Sequence, residues 1–139
     1  MSGLVHAGNI RGGLGSARAV KLALLGIALW AIGVGGVHLA ASRGVFGPAG
    51  SPLLLAMTLP LAWATLRLIR RVSGAGAGMV EATALVSAPA LLLDGVVLTW
   101  APWLYDATES GQRAAGAWLL WFVGVSLVIA FAGARQARR

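Results

Sequence analysis

Four long apolar runs occupy most of this chain, and they limit its fold more than any other feature. They extend from Leu22 to Ser42, from Pro52 to Ile69, from Met79 to Trp103 and from Ala114 to Ala134. Crossing ~30 Å of hydrocarbon at 1.5 Å per residue takes about 20 helical residues. The first, third and fourth runs reach that length. Arg67 interrupts the second, but its aliphatic stem lets the guanidinium reach the interface while the backbone stays in the apolar layer. In lipid each backbone N–H and C=O must be bonded within its own segment, so a spanning run folds as a helix. The reading is therefore all-α: an integral membrane four-helix bundle, antiparallel and up-down, with both termini cytoplasmic. Residues 1–20 read as a flexible cytoplasmic tail, because Gly12-Gly13-Leu14-Gly15-Ser16 is too glycine-rich to hold a helix well. Residues 21–139 read as the four-helix unit. The first run is too long for the apolar core of a secretory signal and reads as a retained helix.

Composition agrees. Charged residues make up 11% of the chain and hydrophobic residues 58%, whereas a soluble domain carries roughly 25% charged residues. A net charge of +7 in a soluble protein would suggest a nucleic-acid partner. Here the basic residues flank apolar runs, where they meet anionic headgroups, and no nucleic acid is expected. The absence of cysteine excludes thiol catalysis, disulfides and cysteine–zinc sites.

The basic residues also set the sidedness. Arg11, Arg18, Lys21, Arg67, Arg70, Arg71, Arg135, Arg138 and Arg139 fall at the ends that an up-down bundle puts on one side, against Arg43 and Arg113 on the other. By the positive-inside rule the richer side is cytoplasmic. Trp100, Trp103, Tyr105, Trp118 and Trp121 fall at the opposite end, as an interfacial belt. Trp30 and Trp63 lie deeper and read as packing residues. With usage rich in Ala, Gly and Arg, the expected location is a bacterial inner membrane.

Small and polar residues at helical spacing mark where spanning helices meet. They predict inward stripes of Ala28, Ala31, Gly35, His38 and Ser42 on the first run, Thr58, Ala62 and Thr65 on the second, and Thr83, Ser87, Ala90, Asp94, Val97 and Ala101 on the third. Ala31, Gly35, Ser87 and Ala90 are the expected packing contacts. Pro60 and Pro89 interrupt their helices and read as static kinks, with a hinge or cavity as the functional alternative. Glu81 reads as a first-turn cap or an ion-pair partner of the nearby arginines.

Asp94 is the most informative residue. A carboxylate near the centre of a spanning helix costs roughly 2.5–3.5 kcal/mol on insertion scales, and such groups face a partner or water. His38 is the expected partner and Arg43 a second. The candidate ligand-binding or proton-relay set is therefore His38, Asp94, Arg43, Trp100, Trp118 and Trp121, weighed against a purely structural contact. No catalytic set, metal site or cofactor is expected. Ser73-Gly74-Ala75-Gly76-Ala77-Gly78 lacks the strand and the Gly-Lys-Ser/Thr ending of a phosphate-binding loop.

Leu91-Leu92-Leu93-Asp94-Gly95 through Trp100-Ala101-Pro102-Trp103-Leu104-Tyr105, followed by Ala117-Trp118-Leu119-Leu120-Trp121, resembles the last two helices of a family of small four-helix bacterial membrane proteins. The shared pattern is Leu-Asp early in the third helix, an aromatic–Pro pair at its outer end and Leu-Leu-Trp in the fourth. The chain departs from it in having Ala-Pro-Trp in place of Phe-Pro. The resemblance covers about the last third of the chain. It implies the four-helix architecture and lends weight to Asp94, and it brings no activity with it.

The function these features favour is non-enzymatic association: an accessory or structural subunit of a membrane complex, or a binder of lipid or a small amphipathic ligand. The expected partners are the bilayer and other membrane chains, including copies of this one. The alternative is a small dimeric transporter or proton-coupled carrier using Asp94, with a lipid-modifying enzyme third.

Overall fold

A computed structural model describes residues 15–46, 51–74 and 78–136. Most of the expected N-terminal tail and most of the glycine-rich segment after Ser73 lie outside the described residues. The structure has four helices long and apolar enough to cross a membrane. They are α1 (Ser16–Ala41), α2 (Ser51–Ser73), α3 (Met79–Trp100) and α4 (Glu109–Gln136), with a one-turn 3-10 helix at Pro102–Leu104 between the last two. No strand occurs among the described residues.

Several boundaries differ from the sequence reading, three of them for an evident local reason. Helix α1 begins at Ser16, inside the stretch read as tail, because the chain is a good helix former once past Gly15. Helix α3 stops at Trp100 rather than Trp103. Pro102 disfavours helical geometry at the residue before it, and Ala101 accordingly sits at φ −140°, ψ 48°. Helix α4 starts at Glu109, well before Ala114, because Thr108 caps it. The Thr108 hydroxyl accepts the backbone N–H of Gly111 at 3.1 Å, satisfying one of the donors that a helix start leaves unpaired.

Helix α1 packs chiefly on α3, and α4 on both α3 and α2. Two apolar clusters hold the helices together. One joins Leu22, Leu66, Ile69, Ala82, Val86 and Ala130, near the starts of α1 and α3 and the ends of α2 and α4. The other joins Val37, Phe46, Tyr105 and Ala115, at the other end. Outside these clusters the surface is apolar: Ile32, Leu92, Leu120 and Val128 are all exposed, as helices bathed in hydrocarbon require.

On α2 and α3 the small and polar residues of the predicted stripes lie inward, except that Ala101 falls beyond the end of α3. Thr58 and Ala62 are buried, as are Thr83 and Asp94, and Ser87 and Ala90 are half-buried. The α1 stripe is corrected. Ala28, Ala31, Gly35 and His38 are exposed, and α1 turns Leu22, Gly26 and Val37 inward instead. The cause is a close approach. At Gly26 a β-carbon would collide with the backbone carbonyl of Val86 and meet Pro89 Cγ at 3.1 Å. Only a residue without a side chain lets α1 sit that near α3.

Pro60 and Pro89 both lie within continuous helices. Trp63 is exposed and lies under the Arg67 guanidinium, 3.9 Å from ring centroid to Cζ. Cation attraction to the ring face anchors that guanidinium. Glu81 occupies the first turn of α3, where a carboxylate complements the helix dipole. Among the described residues it forms no ion pair; the pair found there joins Glu109 and Arg113.

Candidate functional site

Asp94 lies on the inward face of α3 and is only 7% exposed. Its Oδ1 accepts a hydrogen bond from Trp30 Nε1 on α1 at 2.8 Å and a second from the Tyr105 hydroxyl. Tyr105 is fully buried, and its approach depends on the break at Ala101. Six residues of helix separate Asp94 from the end of α3, a rise of about 9 Å. The turn at Pro102–Leu104 reverses the chain, and the tyrosine side chain reaches back along α3 to the carboxylate.

The site therefore pairs one acceptor oxygen on α3 with two neutral donors, one from α1 and one from the connection after α3. Burial, and then the hydrogen bond to Asp94, push the Tyr105 phenol above its usual range. The adjoining connection is also ordered by side chains. Asp106 Oδ1 accepts the backbone N–H of Thr108 at 2.7 Å and its hydroxyl at 2.8 Å. These two bonds hold the Asp106 carboxyl below the usual range, with His38 adding a smaller effect. Gln112 Nε2 donates to the Asp106 carbonyl at 2.9 Å. Gly111 is enclosed so tightly that a β-carbon there would overlap the Asp106 carboxylate.

The expected His38–Asp94 contact is not made. His38 is exposed, and its Nδ1 lies 3.2 Å from the Leu104 carbonyl. The expectation compared helix depths but took the wrong face of α1 as inward. Arg43 does not reach Asp94 either: it lies in the turn after α1 and donates to the Leu39 carbonyl of that helix at 3.3 Å. Trp118 donates Nε1 to Thr58 Oγ1 at 3.0 Å and to the Leu54 carbonyl at 3.3 Å, tying α4 to α2. Trp100 is 71% exposed and Trp121 50% exposed, on the lipid-facing surface. Of the other five candidates the structure brings none to Asp94. Its partners are Trp30, read as packing, and Tyr105, read as interfacial.

A signal for that arrangement did exist. An indole N–H deep in a membrane needs an acceptor, and a buried carboxylate needs donors. Trp30 and Asp94 meet each other's need.

Chemically, this is a polar clasp. The groups bonded to the carboxylate are an indole N–H and a phenol O–H, and among the described residues no group of three or more metal-ligating side chains is placed to hold an ion. No protein family, curated protein or solved structure matches the chain. The likeness of its last third to small four-helix bacterial membrane proteins thus rests on the residues quoted above.

Proposed function

We propose that this chain is a multipass protein of a bacterial inner membrane that works by association, docking α1 against another membrane-spanning helix. In this reading the bundle is antiparallel and up-down, with both termini on the cytoplasmic side. The shared clusters of alternating helix starts and ends support the alternation, and the arginine bias supports the sidedness.

One observation carries the associative role. Helix α1 spends a single glycine, Gly26, on its contact with α3 and leaves Ala28, Ala31 and Gly35 exposed. A β-carbon at Gly35 would meet nothing within 4 Å. Small residues four apart let helix backbones approach closely in lipid, where dispersion contacts replace the hydrophobic effect as the driving force. The polar interior supports the same reading. Asp94 already holds two donors on one oxygen, so a carrier cycle through it would have to break the clasp that joins α1, α3 and the outer connection.

The test is the mass of the purified chain in mild detergent, alone and as extracted with its neighbours. Wild type should run as a complex. Gly35→Ile should run as a monomer of unchanged helix content. A wild-type chain that is monomeric and brings down no stoichiometric partner would refute the reading.

A further inference from the structure

Helix α4 carries a continuous outward strip whose chemistry changes along its length. At its outer end Glu109 and Arg113 form an ion pair one turn apart, with side chains 78% and 76% exposed. They border a depression of about 370 Å³ whose other wall is Leu98 and Pro102. At Ala117 this depression meets a second groove of about 670 Å³, lined by Leu59, Trp121, Gly124 and Val128. That groove is almost wholly apolar. The groove is open above Gly124, where a β-carbon would meet nothing within 4 Å.

We infer that this strip is a binding site for one phospholipid with a phosphoethanolamine headgroup. The inference rests on the membrane-spanning reading above and is independent of the α1 contact. Three features select this occupant. The apolar groove runs from Ala117 to Val128, a rise of about 16 Å, or roughly half of a ~30 Å hydrocarbon layer. That is the depth of one leaflet, so the groove suits an acyl chain rather than a crossing helix. Next outward comes a cation, Arg113, and beyond it an anion, Glu109. In a phosphoethanolamine lipid the order from the acyl chains outward is the same with the opposite signs: phosphate, then ammonium. A guanidinium matches phosphate with parallel N–H donors, and a carboxylate accepts from a primary ammonium.

The exchange is favourable in kind. One exposed ion pair, worth little by itself, gives way to two charge-assisted contacts held in place by a seated acyl chain. A phosphoglycerol lipid would bring its negative charge beside Glu109 without an ammonium to meet it. A phosphocholine lipid has no N–H to donate.

The test uses the full chain in mixed micelles with equal amounts of ethanolamine, choline and glycerol phospholipids of one acyl composition, followed by native mass spectrometry. The ethanolamine lipid should be retained over the other two by about tenfold, the effect of roughly one charge-assisted contact. Arg113→Gln should abolish retention of all three, and Gly124→Leu should do the same by filling the groove. Glu109→Gln should keep phosphate binding and erase the preference for ethanolamine. Equal retention of the three lipids by wild type would reduce the strip to ordinary lipid contact and overturn the inference. A preference for the glycerol lipid would assign it to anionic headgroups, and a dimer lost in Gly124→Leu would assign it to a second copy. Either overturns the inference. Both side chains are exposed, so unchanged helix content in the Arg113 and Glu109 variants separates binding from folding. A wild-type chain that fails to enter vesicles at all would sink the membrane reading itself, a result distinct from loss of headgroup preference.

Discussion

At the scale of single residues, the structure gives the one buried carboxylate a specific task. Asp94 accepts from Trp30 and Tyr105, so its removal strands one buried and one half-buried donor, the buried one costing about 1–3 kcal/mol. Asp94→Ala should therefore lower the thermal midpoint in detergent sharply. Asp94→Asn keeps an amide oxygen in place and should cost far less. Equal midpoints for the two variants would show that the clasp carries no stability. Tyr105 offers an independent probe, because it is the only tyrosine in the chain. Its folded-state pKa is raised. The stability it contributes is fully present below the unfolded value of about 10 and is lost as pH rises from there through the folded value. Tyrosinate absorbance should thus stay flat through that ordinary range and appear only as the chain unfolds. A normal titration in folded protein would contradict the burial. Asp106 works in the opposite sense. Its folded pKa is lowered, so its contribution is present above the unfolded value of 3.8 and fades as pH falls through the folded one.

At the scale of elements, two glycines on α1 should behave oppositely. Gly26 lies against the Val86 carbonyl and Gly35 faces outward. Gly26→Val forces α1 off α3 and should destabilise the fold by about 1–3 kcal/mol, the usual range for overpacking. Gly35→Val should leave thermal stability of the monomer unchanged, as read by unfolding in detergent. This contrast also marks where the sequence was legible. The stripes on α2 and α3 could be read because each has one small or polar face opposed by Leu, Ile and Val. Helix α1 has small residues on several faces, with Gly26, Ala28, Ala31, Gly33, Gly35 and Gly36 spread around its axis. Spacing alone could not tell which of them meets α3, and the error carried His38 inward with it. Tyr105 was illegible for a different reason. Its role depends on the chain reversal at Pro102, a tertiary event that the helical periodicity of neither flanking run encodes.

At the scale of the whole molecule, the four helices themselves were fully legible, since length and apolarity set them without reference to packing. The sidedness proposed for them is open to direct measurement. The chain has no cysteine, so single replacements report cleanly. Ala75→Cys and Ala137→Cys should label from the same side of sealed vesicles, and Ala107→Cys from the other. Labelling of residues 75 and 137 from opposite sides would overthrow the up-down arrangement.

The hydrogen bonds made by two indoles bear on the order in which this protein is assembled. Trp30 secures α1 to α3, and Trp118 secures α2 to α4. Neither joins the hairpin that emerges first during synthesis. The first two helices therefore enter the bilayer with an unpaired indole on one and an unclaimed threonine on the other. They gain their latches only when the second hairpin arrives. A chain cut after Gly74 should be degraded in cells, and co-expression of the missing half should rescue it.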